Sequence, residues 1–286
     1  SYILIDFSKI SKEVNELFND ISDLNYLFIR LQFIFQVKLH ERESVIIFDE
    51  VQLQPKARQA IKHLVKDHRY DYIETGSLIS VRSKSTNIII PSEETKVDMF
   101  PMDYEEFRWA LGDTATIPLL RSVFEKKMSL GDAVHRKLMR DFRLYMLVGG
   151  MPQAVKKYVE TKDFEQVDKI KRNILKLYRE DIRKHTDDLN LKVEKIYDLI
   201  PSQLQKHEKK FIISDVDKNL RYRNLEESFY WLNDAKLLNI AYNTTEPNIG
   251  LGQRINDNSM KCYLFDTGLL LSMTFNEMEI INGEIY

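Results

Sequence analysis

The run Val45-Ile46-Ile47-Phe48-Asp49-Glu50 limits what this chain can fold into more than any other stretch. Four apolar residues lead straight into two adjacent carboxylates, and a helical pattern resumes at Pro55. A short, uninterrupted apolar run predicts a strand buried on both faces, as in a parallel sheet. The carboxyl ends of such strands are where open α/β sheets bind ligands. At average residue usage, a run of this kind arises by chance on the order of 0.02 times in a chain of this length. A buried strand that merely happens to end in two solvated acids is the weaker reading.

The flanking residues extend the pattern. Residues 2–7 predict a first strand with Asp6 near its end. Ser8 is placed to cap a helical stretch through Ile10, Leu17 and Ile21, and Asp23 opens a second helix bearing Leu27, Leu31, Ile34 and Phe35. Pro55 starts a third helix, with Ala60, Ile61 and Leu64 on one face. Residues 70–75 predict another strand, which ends in Thr75-Gly76-Ser77. Alternating strands and helices to about residue 100 imply right-handed crossovers and a parallel sheet.

From Met99 the character becomes helical. Pro101 breaks the pattern, a helix follows to Leu111, and Gly112 stops it. The spacing predicts unbroken helices over 116–146 and 152–184, divided by Gly149-Gly150-Met151-Pro152. Between Arg121 and Arg143 lie seven basic and three acidic residues, which reads as a solvated face more readily than as a phosphate-facing one. A helix is expected over 187–206 and an amphipathic one over 224–238. Strands at 238–242 and 261–265, joined by a polar loop, complete a winged-helix pattern. Its helix balances Arg221, Arg223 and Lys236 against Glu226, Glu227 and Asp234. Nucleic acid therefore gains no support from charge, and packing against protein is favoured.

Composition excludes several classes. A net charge of −2 gives no global pull toward polyanions, and one cysteine, Cys262, rules out a disulfide framework and any multi-thiolate metal site. Cys262 reads as a small buried apolar residue. The six histidines show no ligand spacing. No apolar run nears the ~18 residues of a membrane span and no signal peptide is visible, so no membrane association and a cytoplasmic location are expected. The chain starts at Ser1 directly on a strand, which leads us to expect a piece of a longer protein.

Six segments in order carry a resemblance: VIIFDEVQ at 45–52, ETGSLIS at 74–80, MFPMDYEEFRWALG at 99–112, GGMPQAV at 149–155, YREDI at 178–182 and KCYLFDTGLL at 261–270. Together they resemble the bacterial and archaeal AAA-type, STAND-like ATPases that carry a C-terminal domain of uncharacterised function. The resemblance implies an α/β P-loop NTPase core with an N-terminally truncated parallel sheet over 1–100. A helical lid over 101–186 and a winged-helix domain over 187–275 would follow, then a tail, 276–286, leading to a nuclease-like domain. It implies ATP and Mg²⁺ as cofactors and makes 45–50 a Walker B element. Asp49 would hold Mg²⁺ through water, Glu50 would polarise the hydrolytic water, and Thr75 would sense the γ-phosphate, with Ser77 the second candidate. Read alone, Thr75-Gly76-Ser77 is an ordinary strand-to-loop turn. Arg82 and Lys84 read as solvated loop charges, and Arg108 and Arg143 as candidate lid or neighbour-facing arginines.

The chain departs from that family in one respect. No GxxxxGK[ST] phosphate loop occurs anywhere. Such a loop, with its strand and helix, needs roughly 30 residues, expected ahead of Ser1. The alternative function is a non-hydrolysing scaffold that holds protein partners or a second copy through its helical and winged-helix regions. DNA association is a weaker third.

Overall fold

The computed structural model describes residues 1–76, 94–185, 189–244 and 255–275. The chain forms two compact units, 1–98 and 99–286.

The first unit is a three-stranded parallel sheet in the order β1 (Tyr2–Asp6), β2 (Val45–Asp49), β3 (Asp71–Glu74). Helices α1 (Lys12–Leu17) and α2 (Leu24–Phe35) connect β1 to β2, and α3 (Pro55–Asp67) connects β2 to β3. Local signals set their ends. Ser11, not Ser8 as expected, and Asp23 cap the first two helices by accepting from the backbone of Val14 and Tyr26; Ser8 instead donates to Asp6 and so leaves the helix start three residues later. Pro55 occupies the first turn of α3, and Gln36 and His68 end α2 and α3 in the left-handed region.

Because the strands are laid down in sequence order with crossovers of one hand, all three helices fall on the same face. That face holds Ile3, Ile5, Phe7, Ile46 and Phe48, all buried. Phe18, just after α1, packs edge-on against Phe7 and Phe48, with ring centroids 5.7 Å apart in each pair. The β2 run is thus packed on one side, not on both as expected. Its alternate residues Val45 and Ile47 are only half-buried, beside Tyr2 (62% exposed), Leu4 (46%) and Ile73 (51%).

The second unit is mostly helical. It runs α4 (Tyr104–Ala110), α5 (Thr116–Glu125), α6 (Asp132–Val148), α7 (Pro152–Thr161), α8 (Phe164–His185), α9 (Asn190–Gln205) and α10 (Glu226–Asp234). An antiparallel ribbon, β4 (Leu238–Thr244) with β5 (Ile255–Leu264), precedes α11 (Thr267–Thr274). The predicted 116–146 helix is broken. Lys127 and Gly131 take positive φ (52° and 70°), and the intervening Ser129 accepts from the Gly131 N–H. The predicted 152–184 helix breaks at Lys162 (φ 54°), after which Asp163 caps α8 by accepting from Glu165 and Gln166. The predicted 224–238 helix is shorter, 226–234, led by a tight turn at Tyr222–Asn224.

Three of the sequence motifs meet in one buried joint. Asp266, which caps α11, accepts from the N–H of Leu269 (2.8 Å) and of Gly150 (2.5 Å). Met102 donates its N–H to the Gly150 carbonyl at 2.7 Å, and its own carbonyl accepts from the Tyr145 hydroxyl at 2.9 Å. A Cβ on Gly150 would lie 2.0 Å from the Met102 carbonyl oxygen, so only glycine fits there. Beneath, the buried Lys171 ammonium donates to the Leu147 carbonyl at 2.8 Å, and Asp168 accepts from Ser272 and Arg172.

Candidate functional site

Parallel pairing fixes which side chains share a face. The register sets Asp6 opposite Asp49, and Thr75 follows directly on β3. Period-2 alternation therefore lines the less covered face with two rows. Leu4, Ile47 and Ile73 form an apolar row, and Asp6, Asp49 and Thr75 form a polar row at the carboxyl end.

Several bonds knit this row together. The Thr75 hydroxyl donates to Asp49 Oδ1, and the Glu50 N–H points at the same hydroxyl from 3.4 Å. The Thr75 N–H donates to the Phe48 carbonyl (2.9 Å), and the Val51 N–H donates to the Thr75 carbonyl (3.0 Å). The tip of β3 is thereby tied to the turn carrying Asp49 and Glu50. On the outer strand, the Ser8 N–H (2.9 Å) and hydroxyl (2.5 Å) both donate to Asp6 Oδ1. These bonds hold the Asp6 carboxyl below the usual aspartate range.

Glu50 adopts the left-handed conformation, φ 55° and ψ 43°, a state it shares with other residues of long side chain such as Gln36 and Lys162. This turn swings its carboxylate off the strand axis, where the Gln52 side-chain amide donates to Oε2. The sequence places Glu50 beside Asp49 but gives no hint of this backbone state.

One further residue bears on the site, and sequence reasoning missed it. Arg58, buried on α3, donates to Glu74 Oε1 (2.8 Å) and to Glu94 Oε2 (2.6 Å). Glu74 immediately precedes Thr75, so Arg58 anchors the β3 tip from the packed face. Burial pushes the Glu74 carboxyl up to about 7, against the pull of Arg58. An arginine on the apolar face of an amphipathic helix was the available signal.

Asp49, Glu50 and Thr75 are thus brought together, with Asp6 added. Ser77, Arg82 and Lys84 lie outside the described residues. Arg108 is buried and held by Asp113 and by Asp141 (3.0 Å). Arg143 is exposed.

The donor set is hard oxygen from carboxylate and hydroxyl, and among the described residues Asp49 and Glu50 form no ion pair with a cation. Among those residues, too, no three His, Cys, Asp or Glu side chains converge as a metal-binding group. Such a row fits Mg²⁺ held through one carboxylate and water, not a protein cage. Among the described residues the row itself contains no cationic group.

Two family models match parts of the chain. Residues 1–108 match the family model described as an AAA domain, which takes in the sheet and reaches into α4. Residues 139–279 match a second family model, a domain of unknown function (DUF8612), which runs from within α6 past α11. No curated protein matches the chain. The match and the parallel three-stranded sheet together fit an α/β core of the P-loop kind in the N-terminal unit. Among the described residues no helix is long and apolar enough to cross a membrane.

Proposed function

We propose that this chain carries the carboxylate half of an AAA-type ATPase that hydrolyses ATP with Mg²⁺. The observation that carries the proposal is the row Asp6–Asp49–Thr75 with Glu50 beside it at the sheet's carboxyl edge. Asp49 would hold the water shell of Mg²⁺, and the metal would supply charge neutralisation at the phosphates. Glu50, turned off the strand by its left-handed backbone, would orient and deprotonate the attacking water. Thr75, seated on Asp49, would read the γ-phosphate, with Ser77 as the second candidate. Helices over 101–186 would form the lid. Residues 187–275, with α9, α10 and the β4–β5 ribbon, would act as a winged helix that moves with the nucleotide cycle.

The test has two stages. Reading the coding sequence upstream of Ser1 for a phosphate loop comes first. ATP turnover of the complete gene product, wild type against Glu50→Gln, then measures the base. The variant should keep nucleotide bound and lose about 10²-fold or more in turnover, the range of a general base. Unchanged turnover removes Glu50 from the chemistry.

A second reading, a non-hydrolysing scaffold, draws on one fact: no GxxxxGK[ST] occurs in the sequence. It predicts no phosphate loop upstream and partner binding that is indifferent to Glu50→Gln.

A further inference from the structure

Helix α6 carries charge that the fold leaves unused. Eight arginines among the described residues hold a carboxylate at 3.1 Å or less. Arg136, Arg140 and Arg143 are different: all three are exposed, and among the described residues none meets a carboxylate or a carbonyl oxygen. Their spacing, i, i+4 and i+7, aligns them on one stripe about 10 Å long. The acid within this span, Asp141, turns away and pairs with Arg108. An apolar stripe runs beside the arginines: Met139 (39% exposed), Phe142 (39%) and Met146 (40%).

We infer that this face of α6 is a docking surface for an amphipathic helix with an acidic edge, supplied by a partner protein. Complementarity of charge and shape selects that occupant. The two stripes run parallel to the helix axis over two turns. A partner must therefore present an apolar ridge alongside a row of carboxylates over the same distance, which one helix does at i, i+4 and i+7. Unbranched methionines adapt to such a ridge. A phosphate backbone would satisfy the arginines but leave Met139, Phe142 and Met146 against water. The inference does not depend on ATP hydrolysis.

The probe is a fluorescent helical peptide of about 20 residues, long enough to hold a helix, with a leucine stripe flanked by glutamates. Its counterpart carries lysine in place of each glutamate. Anisotropy is read with the whole chain, wild type and Arg140→Glu, the fold of each checked by circular dichroism. The glutamate peptide should bind the wild type saturably and more weakly as salt is added. Arg140→Glu should lose roughly tenfold or more, and the lysine peptide should bind that variant better than the wild type. The inference is overturned if the glutamate peptide does not bind or if Arg140→Glu leaves its binding unchanged. It is equally overturned if oligo(dT) or vesicles rich in phosphatidylserine bind α6 in the peptide's place.

Discussion

At the carboxyl edge of the sheet, Asp49 and Glu50 receive a hydroxyl and an amide, and each remains half-exposed. In the joint of the second unit, Asp266 is buried, receives two backbone N–H groups, and faces the Lys171 ammonium. Both are acids at the ends of elements. In the joint the fold encloses the charge, while at the sheet edge it uses each acid for a bond and leaves it partly open to solvent. A carboxylate that folding has already satisfied is part of the structure, whereas one held in place and left half-open is available to a ligand.

Substitutions should separate the two. Trp109 and Trp231 both lie within 99–286, so tryptophan fluorescence reports on that unit alone. Gly150→Ala forces a Cβ onto the Met102 carbonyl, and Asp266→Ala orphans two buried donors. Each should cost about 3–5 kcal/mol in urea melts followed by fluorescence. Asp49→Asn, read by circular dichroism, should stay within about 0.5 kcal/mol, as a surface change does. An equal loss at both places would break the contrast.

Next in size is a pH effect in the joint. Burial pulls the Lys171 ammonium down to about 8, although Asp168 and Asp266 oppose this; Arg172 adds to it. The unfolded chain therefore binds more protons than the folded one from about pH 8 to the ordinary lysine value near 10.5. On this group's account, stability rises across that window, on the order of 1–3 kcal/mol. Lys171→Met should flatten the rise in fluorescence-detected melts taken between those limits.

Glu74 behaves in the opposite sense. Its carboxyl is raised from 4.5 to about 7, so its contribution is complete below pH 4.5 and is lost as pH rises through 7. Hydrogen exchange at the Ile46 and Phe48 amides should show the first unit loosening by on the order of 1–2 kcal/mol over that range. Glu74→Gln should remove the trend. Persistence in the variant would assign the trend to another group and leave Arg58 as a plain ion-pair anchor.

The strand–helix alternation of the first unit was legible because its signals are local. The apolar run of β2, Pro55 and the cap Asp23 each act within one turn, whereas the first cap falls at Ser11, three residues past the Ser8 where it is expected. Alternation along parallel strands then brings Asp49 and Thr75 to one face. Asp6 was not foreseen there, since its place depends on the register between β1 and β2, a pairing across some forty residues of chain. The coverage of β2 on one face rather than two is likewise a matter of topology, since it follows from where the crossovers lie. The breaks at Lys127–Gly131 and Lys162 had local signs, Ser129 with Gly131 and Asp163, that helical periodicity outweighed in the reading. The joint at Met102, Gly150 and Asp266 was visible only as three separate motifs, because long-range contacts leave no mark in the spacing of any one of them.

The backbone of Glu50 has a consequence of its own. A left-handed residue with a β-carbon is disfavoured by roughly 1–2 kcal/mol, and glycine escapes that disfavour. The fold bears the same cost at Gln36, His68 and Lys162, where a left-handed residue ends a helix; at Glu50 it turns the chain out of a strand. A Glu50→Gly molecule should therefore be sturdier, and under the proposed function it would also lose the base that orients water.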